Sequence, residues 1–131
     1  MVKKIEHIGI AVNSIDEQIP YYRDVLGLKL EKIEEVASEG VKVCFFAVGD
    51  THIELLEPIS DDSPIKKFID KNGQGFHHIA YHSDNVSELV SKFKDNELRM
   101  INEEPKTGAG GKKICFAHPK STFGVLTEIC Q

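Results

Sequence analysis

The sequence repeats itself at an offset of 71 residues. Residues 5–12 superpose on residues 76–83, so that His7 aligns with His78 and Gly9 aligns with Ala80. Both segments read as β-strands, in which alternate side chains share one face. Self-similarity at a fixed offset is typical of a duplicated supersecondary unit. The repeat therefore restricts the chain to folds built from two copies of one unit.

A polar residue with glutamate three positions later follows each of these strands. Ser14 with Glu17 has the form of a capping box, and Asn85 with Glu88 is a close variant. Two helices are therefore predicted to begin at matching points. Each has one apolar face at i, i+4 and i+7 spacing, formed by Ile15, Ile19 and Tyr22 in the first helix and by Val86, Val90 and Phe93 in the second.

Each half continues with three β-rich stretches, at about 29–36, 41–48 and 51–56, and at 99–102, 112–117 and 124–130. Between the halves, Ser63-Pro64 predicts the start of a short amphipathic helix that Gly73 can close. The predicted fold class is α+β. The 131 residues form a single domain of two βαβββ modules, at about 1–60 and 75–131, joined by this helical linker.

Charge and composition exclude several classes of protein. The 16 basic and 21 acidic residues give a net charge of −5, which argues against a broad nucleic-acid surface. Ionisable residues come too early for a secretory segment, and no apolar run approaches the ~18 residues of a membrane span. Three widely separated cysteines without a CxxC pair predict reduced thiols rather than a disulfide framework. We therefore expect a cytoplasmic protein.

Two histidines and two glutamates occupy matching positions in the two halves. A very small residue stands two positions after His7 and after His78, which leaves space above the strand for a metal and a substrate. Glu54 and Glu128 interrupt otherwise apolar final strands, where an unpaired buried carboxylate would cost several kcal/mol. For any one of the four, a surface position or a satisfied structural partner is the ordinary explanation. Together they form a mixed nitrogen and oxygen set suited to Co²⁺, Ni²⁺, Zn²⁺ or Mn²⁺.

Four lysines lie in a stretch from 105 to 127 that has no acidic residue, and three glycines lie together at 108, 110 and 111. Exposed glycine N–H groups and lysine side chains can bind a phosphate or a carboxylate. A solvated hairpin with flexible glycines explains the same composition equally well. The residues concerned are Lys106, Lys112, Lys113, Lys120, Gly108, Gly110 and Gly111.

Four segments together resemble the glyoxalase fold superfamily, also called vicinal oxygen chelate proteins, and within it the methylmalonyl-CoA epimerases. They are HIGIAV at 7–12, IELLEP at 53–58, HHIAY at 77–81 and GAGGKKICFAHPKSTFGVLTEI at 108–129. The resemblance implies that the two modules pair into a cup-shaped, eight-stranded mixed sheet. It also implies a homodimer and one divalent metal ion per site, with Co²⁺ favoured, held by His7, Glu54, His78 and Glu128.

The activity implied by this resemblance is an isomerase reaction on an acyl-CoA thioester. The proton at C2 of methylmalonyl-CoA would be removed and returned through a metal-stabilised enolate, with Glu128 as one acid/base group. Glu39, Glu54 and a metal-bound water are the alternatives for the opposite face. Lys113, Lys120 and Ser121 are the expected contacts for the CoA phosphates or the malonyl carboxylate.

Three other functions share the resemblance. A glyoxalase I would use the same types of ligand on a glutathione hemithioacetal. A non-catalytic binding protein of the same fold would need no metal for binding. A ring-cleaving dioxygenase would hold iron with two histidines and one glutamate, which leaves the fourth carboxylate unexplained.

Overall fold

A computed structural model describes residues 1–131 and contains eight β-strands and three α-helices. A six-residue π-helical segment, Pro20–Val25, continues the first helix. In chain order the elements are β1 (Val2–Ala11), α1 (Ile15–Ile19), β2 (Lys29–Val36), β3 (Val41–Val48), β4 (Thr51–Pro58), α2 (Pro64–Asn72), β5 (Gly75–Ser83), α3 (Val86–Asp95), β6 (Lys106–Thr107), β7 (Lys113–Ala117) and β8 (Thr127–Cys130).

Hydrogen bonds connect the strands in the order β2-β3-β4-β1-β5-β8-β7-β6. The pairs β2–β3, β3–β4, β6–β7 and β7–β8 are antiparallel, whereas β5 and β8 are parallel. The sheet is therefore mixed. The predicted α+β class with an eight-stranded mixed sheet is confirmed.

The predicted strand at 99–102 is wrong. Met100 forms only an isolated bridge to Ala117, and the additional strand of this half is the two-residue β6. The cause is the side chain of Asn102, whose Oδ1 accepts a hydrogen bond from the backbone N–H of Phe116 at 2.9 Å. Because this bond takes the place of a backbone ladder bond, regular pairing ends there.

The final strand is shorter than the predicted stretch of 124–130 and begins only at Thr127. Phe123 and Gly124 both have positive φ angles, of 58° and 90°, which extended strands do not tolerate. The N–H of Gly124 donates to the carbonyl of Pro119 at 2.7 Å, so these residues form a turn.

The three predicted helix starts are confirmed by their N-cap hydrogen bonds. Ser14 Oγ accepts from the N–H of Glu17 at 3.2 Å, and Asn85 Oδ1 accepts from the N–H of Glu88 at 3.0 Å. Ser63 caps α2 with its Oγ, and Gly73, with a φ of +80°, ends it. The first helix is α-helical only as far as Ile19, since Pro20 has no N–H for the next i to i−4 bond.

The chain forms two compact units, which we call the first unit (residues 1–7 and 78–131) and the second unit (residues 8–77). The division predicted from the repeat, into modules at about 1–60 and 75–131, stays a prediction. In the first unit, α3 buries Val86, Leu89 and Val90 in a cluster with Met100, Cys115, Ala117 and Ile129. In the second unit, the core comprises Val12, Ile15, Cys44, Phe46 and Leu55.

The three cysteines are free and buried, and none of the helices combines the length and apolarity of a membrane span.

The matched caps give a stability prediction. Asn85→Ala removes the acceptor for a free N–H at the start of α3 and should lower the free energy of unfolding by about 1 kcal/mol. Urea denaturation followed by circular dichroism measures this change. Ser87→Ala, at an exposed position within the same helix, is the control and should change the value by less than about 0.5 kcal/mol. Equal stability of Asn85→Ala and the unsubstituted protein would contradict the assigned cap.

Candidate metal centre

Two histidine side chains from β1 and β5 meet inside the first unit. His7 and His78 are both 4% exposed, and their Nε2 atoms lie 3.0 Å apart. The ring planes are nearly perpendicular, at 88°. The nitrogens therefore face each other at close range in a buried setting, as the alignment of His7 with His78 in the repeat predicts.

Glu128 brings a carboxylate to the same point from β8. Its Oε2 lies 3.5 Å from His7 Nε2, and its Oε1 lies 3.4 Å from His78 Nε2. In the parallel pairing of β5 with β8, Ala80 is the register partner of Glu128. The methyl side chain of Ala80 leaves room for the carboxylate, whereas the space expected there for a metal and a substrate stays a prediction.

Two opposing effects set the pKa of the Glu128 carboxyl group. Burial would raise the pKa of its carboxyl group, since an ion is poorly solvated there. Hydrogen bonds from His7 and His78, together with their charge, outweigh burial and lower the pKa to about 2. The ring of Phe116 packs edge-on against His78, with centroids 5.7 Å apart. Glu128 is therefore ionised although it is only 5% exposed.

The ligand atoms of His7, His78 and Glu128 all lie within 4.8 Å of one another, which suits a bound metal ion. Two imidazole nitrogens and one carboxylate oxygen are donors that divalent transition metals accept. The residues present therefore fit a metal ion. The fourth predicted ligand, Glu54, lies in the second unit on β4 and is 2% exposed.

Sequence reasoning missed two residues beside this cluster. Glu6 is 5% exposed, and its carboxylate accepts a hydrogen bond from His7 Nδ1. Its other oxygen lies 3.1 Å from the ammonium nitrogen of Lys112. Burial would raise the pKa of Glu6, but the hydrogen bond from His7 and the charges of His7 and Lys112 lower it to about 2. Because strand alternation places Glu6 on the face opposite His7, the sequence does not predict this contact.

The predicted substrate contacts lie in the first unit, near its surface. Lys113 and Lys120 are exposed, whereas Ser121 is half-buried. Ser121 Oγ accepts a hydrogen bond from the backbone N–H of Arg99 at 2.9 Å. Lys113 borders a cleft of about 410 Å³, which is also lined by Val86, Ser87, Pro105, Lys106, Thr107 and Gln131.

Glu39, one alternative for the second acid/base group, is half-buried in a single 3₁₀ turn of the second unit. Two further histidines have local partners. His52 lies 2.6 Å from a carboxylate oxygen of Glu31, and His118 Nδ1 accepts from the N–H of Lys120 at 3.1 Å.

The chain matches one family model and two relatives over most of its length. Residues 6–116 match the family model described as the Glyoxalase/Bleomycin resistance protein/Dioxygenase superfamily. The mitochondrial methylmalonyl-CoA epimerase of Mus musculus is 39% identical over 98% of this chain and 72% of its own length. The ethylmalonyl-CoA/methylmalonyl-CoA epimerase of Cereibacter sphaeroides is 35% identical over 100% of this chain and 99% of its own.

A solved structure shows that the similarity extends to the fold. A variant of the Streptomyces coelicolor methylmalonyl-CoA epimerase, in complex with 2-nitronate-propionyl-CoA, is 34% identical and superposes with a TM-score of 0.93. The match covers 99% of this chain and 94% of that chain. The chain therefore belongs to the glyoxalase/bleomycin resistance protein/dioxygenase superfamily and, within it, to the family of the methylmalonyl-CoA epimerases.

Proposed function

We propose that the chain is an isomerase that epimerises methylmalonyl-CoA at C2 and depends on a divalent metal ion. The observation that carries the proposal is the buried cluster of His7, His78 and Glu128, whose ligand atoms lie within 4.8 Å of one another. Full-length similarity to epimerases named for this substrate supports the choice of substrate. A solved epimerase in complex with methylmalonyl-CoA, 34% identical to this chain, supports it further.

In this proposal the metal is held by His7, His78, Glu128 and Glu54. Co²⁺ is the favoured ion, and Ni²⁺, Mn²⁺ or Zn²⁺ suit the same mixed donors. When bound, a divalent ion supplies Lewis-acid stabilisation for the negative charge that develops on the thioester oxygen as the C2 proton leaves. The two neutral imidazoles and two carboxylates supply a total charge of −2, which balances a divalent cation.

Glu128 is the proposed acid/base group for one face of C2. The carboxylate of Glu128 is 5% exposed, and its two oxygens lie 3.5 Å from His7 Nε2 and 3.4 Å from His78 Nε2. A nearby cation favours the charged form of a carboxylate and makes it a weak base. In this proposal Glu128 therefore accepts the C2 proton once it has loosened from the metal on arrival of the substrate.

Inversion at C2 requires proton exchange on both faces of the planar intermediate. A second group must therefore act opposite Glu128. The proposal retains Glu39, Glu54 and a water molecule for that role. Of the two side chains, Glu54 is the more deeply buried, at 2% exposed.

The anionic part of the substrate is placed at the lysines of the first unit, with Lys113, Lys120 and Ser121 as its contacts. The cleft of about 410 Å³ supports Lys113, since Lys106 lies on the same cleft and adds a second positive charge. We also propose a homodimer, on the basis of the family resemblance.

The first test follows the substrate itself. Protein stripped with a chelator and reloaded with Co²⁺ is given one epimer of methylmalonyl-CoA in D₂O. We expect NMR to show both interconversion at C2 and deuterium entry at C2, each absent from the metal-free protein. Metal-loaded protein that leaves C2 unexchanged would refute the proposal, and turnover of the glutathione hemithioacetal instead would indicate a glyoxalase I.

Two substitutions should separate metal binding from proton transfer. Glu128→Gln keeps an oxygen ligand but removes the base, so we expect weakened yet measurable Co²⁺ binding with turnover lowered at least about 100-fold. His78→Ala removes a nitrogen ligand and should abolish both. Calorimetric Co²⁺ titration and turnover measure the two effects. Equal loss of metal in both variants would remove the special role of Glu128.

Replacing an exposed lysine should affect binding of the thioester. Lys113→Gln removes one positive charge from the cleft and should raise KM by up to about fivefold with kcat unchanged, the range expected for an exposed charge pair. Steady-state kinetics at low salt measure both constants. Lys92→Gln, an exposed lysine on α3, is the matched control with unchanged KM. An unchanged KM for Lys113→Gln would exclude this lysine from the contacts of the anionic part of the substrate.

A further inference from the structure

One polar chain runs from the glycine-rich loop to the metal centre. Lys112 directly follows the loop residues 108–111, and its ammonium nitrogen lies 3.1 Å from one carboxylate oxygen of Glu6. The other oxygen of Glu6 accepts from His7 Nδ1. The far nitrogen of the same ring, Nε2, faces His78 and Glu128. All these residues belong to the first unit.

We propose that Glu6 and Lys112 are positioning residues that fix the tautomer and orientation of His7 for metal binding; this inference rests on the proposed metal site. A carboxylate can only accept at Nδ1, so it holds the proton on that nitrogen. The lone pair is then on Nε2, the nitrogen directed at the other ligands. A carboxylate in this position also increases the electron donation of the imidazole to a metal.

Lys112 acts through Glu6 rather than on the substrate. Glu6 is 5% exposed, and because a His7 ring bound to a metal through Nε2 is neutral, this buried carboxylate would be costly without a positive charge nearby. The ammonium group supplies the compensating charge. Its side chain is 27% exposed, so the lysine approaches Glu6 from the surface with its stem partly covered.

The backbone of the loop leaves space for this lysine. Gly110 has a φ of +72°, and a Cβ built there would lie 3.1 Å from the ammonium nitrogen of Lys112. A larger residue would be strained by its backbone and would crowd the ammonium group. The glycines and Lys112, read from the sequence as a possible anion site, therefore serve the metal centre at this point.

The test measures metal affinity. Chelator-treated protein is titrated with Co²⁺ by calorimetry, for the unsubstituted chain, Glu6→Gln, Lys112→Met and the double variant. We expect Glu6→Gln to weaken binding about 10- to 100-fold, the usual cost of losing such a partner, and Lys112→Met to weaken it less. Because Lys112 acts through Glu6, the double variant should bind no more weakly than Glu6→Gln alone.

A matched control is the exposed pair of Lys94 and Glu103, whose charged atoms lie 3.2 Å apart in the same unit. Glu103→Gln should leave Co²⁺ affinity unchanged. Glu6→Gln with unchanged affinity would overturn the inference, even if its melting temperature fell, since only a structural role would remain. An unsubstituted protein that binds no Co²⁺ would instead refute the metal site of the proposed function and this inference with it.

A spectroscopic measurement tests the His7 tautomer in the unsubstituted protein, whether or not the variants fold. In Zn²⁺-loaded protein labelled with ¹⁵N-histidine, we expect the proton of His7 on Nδ1, with slow solvent exchange, and Nε2 without a proton. The proton signal should broaden or vanish in Glu6→Gln. A His7 ring protonated on Nε2 in the loaded protein would overturn the assignment.

Discussion

Burial of ionisable side chains is the constraint around which this molecule is organised. His7, His78 and Glu128 converge with no more than 5% of any one exposed, and Glu6 lies beside them at the same depth. A buried charge is costly unless hydrogen bonds and opposite charges offset it. Here the offsets are mutual, since the histidines stabilise Glu128, and His7 with Lys112 stabilises Glu6.

Strand register is what makes this convergence possible. The parallel pairing of β5 with β8 sets Ala80 opposite Glu128, and the antiparallel pairing of β7 with β8 sets Phe116 on its other side. A shift of one residue in β8 would turn the carboxylate to the opposite face of the sheet. The small side chain of Ala80 and the ring of Phe116 then define a site with room for a ligand on one side and an apolar wall on the other. The chemistry proposed for Glu128 depends on that register, because it brings the carboxylate to the two histidines.

Much of the fold followed from local signals. Ser14 and Asn85 cap their helices as their side chains predict, since a cap depends on residues three positions apart. The histidine pair followed from strand alternation combined with the repeat. The strand at 99–102 could not be predicted correctly, because the backbone pairing ends where the side chain of Asn102 accepts a hydrogen bond from the N–H of Phe116, 14 positions away. Contacts of that range leave no periodic trace in a sequence.

Glu6 shows the same limit within the site. Alternation correctly describes where a Cβ points, but a glutamate side chain is long enough to reach back to the ring of its neighbour, His7. Its second partner, Lys112, is more than 100 positions away in the sequence and was grouped with the other lysines by charge alone. Duplication could not reveal this pair either, because the position that matches Glu6 in the second half is His77.

The most direct measurement of the central claim is a crystal structure of the Co²⁺-loaded protein, with anomalous differences recorded on both sides of the cobalt absorption edge. The account predicts an edge-dependent peak within bonding distance, about 2.0–2.2 Å, of Nε2 of His7, Nε2 of His78 and a carboxylate oxygen of Glu128. A cobalt peak located elsewhere, or the three side chains left without one in fully loaded crystals, would contradict it.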